Sequence, residues 1–402
     1  MSRILVVVER FFPEDFLVND LVAELLSRGE EVEVLTQVPS YPFDKIYDGY
    51  ENKPLQTTLE TLPLLGSDKT FRVKVHRVST VFGYNSSVKR KILNYVHFGW
   101  KTFLWAMRNG NGYDKVFVYH TAALLMASSV FAFKFRRKKP VSIWTQDLWP
   151  DAVWGFGFKK TKVREFFLNA FVRSIYSCCD RIMVSCRGFV PRIAEICGRK
   201  ADFVPQWDTM DDRFFAGLDE NGQGREGDKI FMFAGNLGKP QNLENILNGF
   251  ALANPKGAQL HFVGGGVMFE PLKETVKEKK IPNVVFHGRQ PRSDMPNWYK
   301  KASALVISLT AEYKLTLPGK FQSYIKTGKP LVGVLLGDAA EMIEEHSLGV
   351  VSDPSDVSSI AEAFRKMNEM LDAGEGAECG KRARELSATL FNRKVLIDEL
   401  LR

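Results

Sequence analysis

The stretch TAEYKLTLPGKFQSYIKTGKP, Thr310–Pro330, lies between two apolar runs, ALVISL and LVGVLL. Each run is predicted to be a buried strand. The stretch itself has the signals of a short helix, with Pro318 near its first position and Gly328 and Pro330 after its last turn. A strand, a loop and a helix N-terminus in this order present free backbone N–H groups to an anion. Since Lys320 stands in the first helical turn, we expect either a site for the phosphates and ribose of a nucleotide-sugar or a helical crossover with an incidental lysine.

The bulk composition is that of a folded protein with room for two domains. Of the 402 residues, 45% are hydrophobic and 25% are charged, which excludes a disordered or collagen-like chain. The five cysteines show no CxxC pair and no metal-ligand spacing, so we expect no metal site and a reducing, cytoplasmic compartment. Because Met1–Val8 already has the pattern of a core strand, no signal peptide is expected.

The positive charge is concentrated in the first half of the chain. Residues 1–205 carry 30 Lys and Arg against 20 Asp and Glu, a net charge of +10. Residues 206–402 carry 25 against 27, a net charge of −2. We therefore expect an anionic partner for the first half. No recognition helix or RNA-binding signature indicates that this partner is nucleic acid.

Strand-like runs alternate with helical patterns through most of the sequence, which predicts an α/β fold with doubly wound parallel sheets. A polar, glycine-rich segment, Glu220–Asp228, interrupts this rhythm. We predict two Rossmann-like domains, residues 1–205 and 206–389, and a last helix at about 390–402 that can pack back on the first domain. The predicted strands are 3–8, 31–36, 71–78, 115–119, 141–144, 181–184, 230–235, 259–266, 284–288, 304–309 and 331–336.

Residues 116–133 contain no charged side chain, and the basic run KFRRKK follows them. Their length and flank pass a simple transmembrane filter. However, the stretch contains His120 and several hydroxyl side chains, and it divides into a strand, VFVYH, and a helix, AALLMASSVFAF. We therefore favour a buried strand and helix over a membrane span.

A segment without acidic residues, Ser86–Arg108, is predicted to be an amphipathic helix capped by Ser86 or Ser87. Its apolar stripe is Val88, Ile92, Val96, Trp100, Phe103 and Met107, and its basic residues are Lys89, Arg90, Lys91, Lys101 and Arg108. We expect most of the apolar stripe to pack into the core and the basic face to lie near anionic lipid headgroups. KFRRKK and FKKTKVR (158–164) can extend the same surface.

Glycine-rich turns end the predicted strands of the second half. They are Gly235-Asn236-Leu237-Gly238-Lys239, Gly264-Gly265-Gly266 and Gly288-Arg289. Glycine lets the backbone approach a ligand, and Asn236 and Lys239 can contact a diphosphate. Because the carboxyl ends of parallel strands meet at one edge of a sheet, these turns together predict a nucleotide site.

The first half offers candidates at three strand ends. The turn after the first strand, ERFFPEDF (Glu9–Phe16), has no GxGxxG, and the chain has no Walker A loop, which disfavours a dinucleotide-dependent oxidoreductase. Glu14 and Asp15 in this turn either complement the helix dipole or border a ligand cleft. His120, Asp147 and Trp149 follow later strands, and each is either structural or faces a sugar substrate.

Five segments together resemble glycosyltransferase family 4, and most of all its WbuB-like branch from bacterial O-antigen and capsule clusters. They are PEDFLVNDLVAELLSRGEEVEVLT, QDLWPDAV, VPQW, FAGNLGKPQNLENIL and LPGKFQSYIKTGKP, in order along nearly the whole chain. The resemblance implies a GT-B fold, with two Rossmann-like domains facing across a cleft. It also implies a retaining, metal-independent transfer from a UDP-sugar, with no other cofactor. We expect the sugar to be an N-acetylated hexosamine or deoxyhexosamine.

The resemblance also implies partners and site residues. The acceptor is expected to be a polyprenyl-diphosphate-linked or other glycan, and the protein to attach peripherally to the inner face of the cytoplasmic membrane. The expected catalytic residues are Lys320, His120 and Asp147. The expected acceptor residues are Glu14, Asp15, Phe16, Asn19 and Trp149. The expected donor residues are Gly235, Asn236, Lys239, Gln241, Gly264, Gly265, Gly266, Arg289, Glu312, Pro318, Gly319, Lys320, Gln322 and Ser323.

Two sites depart from the wider family. Many members carry Arg and Lys for the donor diphosphate where Asn236 and Gln241 stand here. Many also carry a Glu-x7-Glu pair, whose second Glu aligns with Ser323 and whose first aligns with Leu315 or, after a shift, Glu312. Ser323 or Gln322 is then expected to take part of the ribose-binding role. Two other functions stay open, a UDP-sugar 2-epimerase of the same fold and a non-catalytic membrane-associated scaffold.

Overall fold

A computed structural model describes residues 2–42, 44–83, 87–121, 124–155, 159–215 and 229–402. The chain divides into two compact units, Met1–Val204 with Leu400–Arg402 and Pro205–Glu399. We call them the N-terminal and the C-terminal unit. The polar segment Glu220–Asp228 lies outside the described residues, as does Ser86, one of the two predicted helix caps.

The N-terminal unit is built on an eight-stranded sheet in the order β3-β4-β2-β1-β5-β6-β7-β8. Its strands are β1 Arg3–Val8, β2 Glu31–Gln37, β3 Leu55–Pro63, β4 Thr70–Val78, β5 Lys115–His120, β6 Val141–Thr145, β7 Arg181–Val184 and β8 Asp202–Phe203. All neighbours pair in parallel except β3 and β4. The predicted parallel sheet is present, but the antiparallel strand β3 and the short strand β8 were not predicted. Strand β3 alternates exposed and half-buried residues along most of its length, because it lies at the edge of the sheet.

Helices join these strands. They are α1 Leu17–Ser27, α2 Val88–Asn109, α3 Ser129–Phe131, α4 Asp151–Gly155, α5 Lys162–Ser177 and α6 Phe189–Cys197. Hydroxyl side chains begin two of them, since Ser87 accepts from the N–H of Arg90 and Thr161 accepts from that of Arg164. Of the two predicted caps of α2, Ser87 therefore fills the role.

The buried face of α2 is not the one that we predicted. Val88, Ile92, Val96 and Trp100 are exposed, Trp100 to 58%. The face that packs inward is formed by Asn94, Tyr95, Phe98, Gly99, Thr102, Trp105 and Ala106. Small and polar residues allow this close packing, and Asn94 donates to the Thr80 hydroxyl at 2.8 Å. The apolar stripe at the N-terminal end of α2 therefore faces solvent.

The uncharged stretch 116–133 forms a strand and short helical segments, as predicted. After β5 come the 3-10 helix Leu124–Ser128, α3 and the π-helical turn Ala132–Arg136, while residues 122 and 123 lie outside the described part. Most described residues of the stretch are buried. Within the described ranges, no helix is both long and apolar enough to cross a membrane.

The C-terminal unit has a parallel six-stranded sheet in the order β11-β10-β9-β12-β13-β14. Its strands are β9 Lys229–Ala234, β10 Ala258–Val263, β11 Val284–Gly288, β12 Ala304–Ser308, β13 Leu331–Val334 and β14 Gly349–Ser352. Strand β14 was not predicted. Strand β9 is the switch point, because the chain adds β10 and β11 on one side of it and β12 to β14 on the other.

The helices of this unit are α7 Leu243–Ala253, α8 Phe269–Glu278, α9 Met295–Lys301, α10 Lys320–Thr327, α11 Asp338–Glu345, α12 Val357–Asp372, α13 Gly376–Thr389 and α14 Arg393–Leu401. Helices α7 and α12 pack on β9 through three rings, Phe231, Phe250 and Phe364, whose centroids lie 5.2–6.3 Å apart. Helix α10 ends at Gly328 in the left-handed conformation, as predicted. It begins two residues later than we expected, at Lys320.

Candidate functional site

A pocket opens at the carboxyl edge of the C-terminal sheet, beside the switch point. Ligands of doubly wound sheets bind at such points, because the loops on either side diverge there. The cavity encloses about 360 Å³. It is lined by Met210, Ala234, Gly235, Asn236, Val263, Gly264, Gly265, Arg289, Gln290, Arg292, Met295, Tyr299, Lys320 and Ser323. This lining includes three cationic side chains and no carboxylate, so the pocket favours an anion.

Two glycines let the strand-end loops approach one another. At Gly264 φ is +145°, and an added Cβ would lie 1.8 Å from the carbonyl oxygen of Gly235. At Gly266 φ is +155°, and a Cβ would lie 2.4 Å from the carbonyl oxygen of Leu237. Real side chains do not tolerate such contacts, so these positions require glycine. The glycine-rich turns therefore form a bare backbone wall.

This wall presents hydrogen-bond donors. The Gly235 N–H donates to Val263 at 2.8 Å, and the Leu237 N–H donates to Gly265 at 2.9 Å. Among the described residues, the N–H groups of Asn236 and Gly265 donate no backbone hydrogen bond. Backbone donors arranged around a small concavity form a site for phosphate oxygens.

Lys320 is the first residue of α10, and its ammonium lies against the backbone of Gly235. Its Nζ atom is buried, has no hydrogen-bond partner among the described residues and lies 3.6 Å from the ring centroid of Phe233. The Nζ atom would also lie 3.3 Å from a Cβ placed on Gly235. Burial lowers the pKa of Lys320 to about 7, because a low-dielectric environment disfavours the charged form. A bound anion would supply the missing counter-charge.

Tyr324 ties α10 to the end of β9. Its hydroxyl accepts from the N–H of Ala234 at 2.8 Å and lies 3.0 Å from the carbonyl oxygen of the same residue. Strands β9 and β12 pair only at Phe231–Ala304 and Met232–Leu305. The helix that carries Lys320 and Ser323 is thus held to the strand end at the point where the sheet opens.

Several predicted donor residues do not line the pocket. The side chain of Gln241 accepts from the Gly238 N–H at 3.1 Å and so fixes its own turn. Gln322 is buried, and in the amide orientation that satisfies its partners it donates to the carbonyl oxygens of Pro318 and Gly319. Glu312 is exposed in the 3-10 turn before α10. Lys239, Gly266, Pro318 and Gly319 also lie outside the lining.

Two predicted acceptor residues of the N-terminal unit have structural partners. The buried Glu14 accepts from the N–H groups of Ser40 and Tyr41, each at 2.7 Å. Asn19 accepts from the Phe12 N–H at 3.0 Å and donates to the carbonyl oxygen of Glu14 at 2.7 Å. These bonds fix the loop that follows β1. Asp15 is exposed in this loop, and Phe16 packs on Tyr41 with ring centroids 5.7 Å apart.

His120, Asp147 and Trp149 lie at the carboxyl ends of β5 and β6. His120 is fully buried, neither ring nitrogen has a partner among the described residues, and burial lowers its pKa to about 3, so the ring is neutral. Burial raises the pKa of Asp147 to about 7, although the Lys91 ammonium opposes this shift. Trp149 is buried. Burial thus brings the pKa of Asp147 close to neutral pH.

Besides Ala234, Val263 and Gln290, which adjoin predicted residues, four residues of the pocket lining were not predicted from the sequence. Met295 and Tyr299 are one turn apart on α9, so they share a face. Arg292 precedes this helix and donates to the Thr209 hydroxyl at 2.6 Å. Met210 comes from the segment after β8. Arg292, Met295 and Tyr299 follow the turn Gly288-Arg289 within a dozen residues. Their closeness to that strand-end turn is the sequence signal that indicates them.

Two α/β units, each built on a sheet that is wholly or mostly parallel, are the two parts of a GT-B fold, and solved structures of this fold match the whole chain. Sucrose-phosphate synthase from Thermosynechococcus elongatus matches with a TM-score of 0.69 and 15% identity, over 100% of this chain and 97% of that one. HepE from Anabaena, in complex with UDP, matches with a TM-score of 0.67 and 12% identity, over 99% and 98% of the two chains. The predicted GT-B fold is confirmed.

Two sequence comparisons point to glycosyltransferases. Residues 228–369 match the family model described as Glycosyl transferases group 1, and this range contains Gly235, Gly264 and Lys320. Probable glycosyltransferase WbjE from Pseudomonas aeruginosa is 24% identical over 234 residues. That alignment spans 56% of this chain and 58% of the relative.

Proposed function

We propose that the chain is a retaining, metal-independent glycosyltransferase of family 4 that moves a sugar from a UDP-sugar to a lipid-linked acceptor. The observation that carries the proposal is the buried Lys320 ammonium, which has no hydrogen-bond partner among the described residues and faces the backbone wall of Gly235 and Gly264. A diphosphate supplies both the negative charge and the acceptor oxygens that this arrangement lacks. The Glycosyl transferases group 1 match over residues 228–369 supports the same assignment.

In this proposal the protein stabilises the leaving group. When the bond between the sugar C1 and the phosphate oxygen breaks, negative charge develops on the diphosphate. Lys320, Arg289 and the N–H groups of Asn236 and Gly265 are placed to stabilise that charge without reorganisation. The acceptor oxygen forms its bond to C1 on the face that the phosphate leaves, and the acceptor proton passes to a phosphate oxygen. The protein then needs no base of its own.

We further propose an N-acetylated hexosamine or deoxyhexosamine as the sugar and a polyprenyl-diphosphate-linked glycan of O-antigen or capsule synthesis as the acceptor. The resemblance of QDLWPDAV and LPGKFQSYIKTGKP to the WbuB-like branch supports both. WaaB, named a lipopolysaccharide outer core galactosyltransferase, shares the fold with a TM-score of 0.61 and 14% identity. The printed function of WaaB supports a cell-surface polysaccharide as the product in this proposal.

A lipid-linked acceptor requires access to a membrane surface, and the N-terminal unit offers one. Helices α2 and α5 both contact the 3-10 helix Leu124–Ser128. In addition to the exposed stripe of α2, helix α5 exposes Val163, Phe166 and Phe167 to 67–69%. Exposed Lys159, Lys160, Lys162 and Arg164 flank these side chains. Apolar anchors ringed by cations fit the interface of an anionic leaflet.

Vesicle sedimentation tests this attachment. We expect the protein to bind vesicles of equal parts phosphatidylcholine and phosphatidylglycerol, and to bind pure phosphatidylcholine more weakly. Replacing Phe166 and Phe167 by serine removes two anchors worth about 3 kcal/mol together, or roughly a hundredfold in binding. Leu59→Ser, which changes an equally exposed apolar residue on β3, is the control. Equal binding by the double variant and the wild type would rule out this docking surface.

A nucleotide screen tests the activity. UDP at a hundred times its dissociation constant stabilises the folded protein by about 2.7 kcal/mol, whereas GDP and ADP should shift the melting temperature less. UDP-sugars should then be consumed only with a lipid-linked acceptor. Conversion of the sugar without an acceptor would indicate a 2-epimerase, and the absence of any nucleotide response would indicate a scaffold. Either result contradicts the proposal.

A further inference from the structure

The outer strand of the N-terminal sheet, β3 Leu55–Pro63, leaves one edge of that sheet open. All nine of its residues pair with β4 in one unbroken antiparallel register. In the described part of the chain no other strand pairs with β3, and no backbone hydrogen bond from outside the ladder reaches it. Every second residue of such a strand directs its N–H and C=O groups away from the sheet, so these groups are available to a partner strand.

Strand β3 lacks the features that usually keep an open edge from pairing. Residues 55–62 include no lysine and no proline, and the register contains no bulge. Their one charged side chain, Glu60, is buried, and the Arg77 guanidinium donates to it at 2.9 Å. On the outward face Leu55 is 49% exposed and Leu59 is 62% exposed. The edge is therefore continuous, uncharged on its outward face and partly apolar, which favours the addition of another strand.

The sequence of this edge is self-complementary. When two copies of LQTTL, residues 55–59, run antiparallel about Thr57, Leu55 of each copy lies opposite Leu59 of the other. In the same register Gln56 lies opposite Thr58, so an amide meets a hydroxyl, and Thr57 lies opposite itself. Apolar pairs and paired hydroxyls of this kind stabilise antiparallel strands, and no like charges meet. A second copy of this chain therefore fits the edge through a twofold axis at Thr57.

We propose that β3 is an interface between two copies of this chain, in which the two edge strands pair antiparallel and join the two N-terminal sheets. The interface is independent of the transferase activity, because β3 contributes no residue to the pocket of the C-terminal unit. The contact is one strand wide and so smaller than the roughly 800 Å² per partner of a stable complex. The dimer is therefore weak and depends on the protein concentration. Because the pairing uses backbone groups, changing one leucine weakens the dimer without preventing it.

Sedimentation equilibrium tests the interface. The average mass of the wild type should rise from one chain towards two between about 1 and 200 µM. Thr57→Lys and Thr57→Glu each place like charges opposite one another at the axis and should weaken association about tenfold or more. An equal mixture of the two variants should regain the wild-type association, because opposite charges then face each other. This recovery would also show that both variants are folded.

Disulfide cross-linking tests the register. In Thr57→Cys the two Cα atoms at the axis would lie about 4.5–5.5 Å apart, within the reach of a disulfide. Thr61→Cys is the matched control, because Thr61 is exposed on the same face but its two copies would lie about 27 Å apart along the strands. Mild oxidation should cross-link the first variant and not the second, and the wild type, whose cysteines are buried or half-buried, gives the background. A wild type that stays monomeric throughout, a mixture that does not associate, or equal cross-linking of both cysteine variants would overturn the proposal.

Discussion

Lys320→Met should stabilise the unliganded protein while abolishing its response to UDP. Burial lowers the pKa of this lysine from the ordinary 10.5 to about 7. Between these two pH values the unfolded chain still holds the proton of Lys320, whereas the native chain has released it. The native state therefore gains stability relative to the unfolded state as the pH rises through this range. Methionine removes the ammonium and keeps the apolar stem, so the variant escapes this penalty.

The size of the effect follows from the pKa shift of Lys320. At 1.36 kcal/mol per pKa unit, the penalty is about 1.4 kcal/mol at pH 9.5 and approaches about 5 kcal/mol below pH 7. The stability gap between variant and wild type should thus widen by about 3 kcal/mol between pH 9.5 and pH 6.5. Urea unfolding at a series of pH values, without nucleotide, measures this gap.

Lys329→Met is the matched control for that measurement. Lys329 is buried near the other end of α10, and burial also lowers its pKa, but it does not line the pocket. This variant should keep the full thermal response to UDP, which Lys320→Met should lose. A Lys320→Met protein that is less stable than the wild type at every pH, or that still responds to UDP, would refute the reasoning.

Three further substitutions test the backbone wall and the N-terminal unit. Gly264→Ala forces a Cβ against a backbone oxygen and should lower the free energy of unfolding by about 3 kcal/mol or more. At Gly265 an added Cβ meets nothing closer than 3.7 Å, so alanine there should lower it by under about 1 kcal/mol. Equal melting temperatures of the two variants would contradict the close approach of the two backbones at Gly264. Glu14→Ala leaves the N–H groups of Ser40 and Tyr41 without their shared acceptor and should cost about 2–4 kcal/mol in the free energy of unfolding measured with urea. Replacing the exposed Asp15 by alanine should change this free energy little. Similar losses for both variants would show that Glu14 does not hold the loop. Because burial raises the pKa of Asp147 to about 7, its stabilising contribution is lost as the pH rises through that value, so Asp147→Asn should gain stability over the wild type at pH 8 and not at pH 4. The same gain at both pH values would contradict that origin.

Local patterns in the sequence predict much of the fold. Buried parallel strands such as β1 are continuous apolar runs, and glycine-rich turns mark their carboxyl ends, so both are visible without a structure. The edge strand β3 is mostly exposed and carries no such run. The orientation of α2 was also out of reach, because periodicity shows that a stripe exists but not whether it faces the core or an external partner.

The candidate site was predictable to the extent that it is made of strand ends. Gly235 and Gly264 follow strands directly, Lys320 opens the helix after the next strand, and parallel pairing brings strand ends to one edge. The hydrogen bond from the Ser323 hydroxyl to Asp208 joins residues that lie 115 positions apart in the sequence, and no periodic pattern links them. Gln322 and Glu14 were expected to bind ligands from their places near a helix start and in a strand-end loop, and the structure gives each of them backbone partners that no sequence pattern indicates.

The contact between Tyr324 and Ala234 shows how an opening is made in a continuous sheet. Where β9 and β12 diverge, both backbone polar groups of Ala234 lose their ladder partners, and one phenol oxygen replaces them. A phenylalanine here would fill the same volume and leave an amide and a carbonyl stranded. The Tyr324 hydroxyl thus satisfies both backbone groups at the point where the sheet opens into the pocket, and we expect the position to favour side chains that carry a hydroxyl at the same depth.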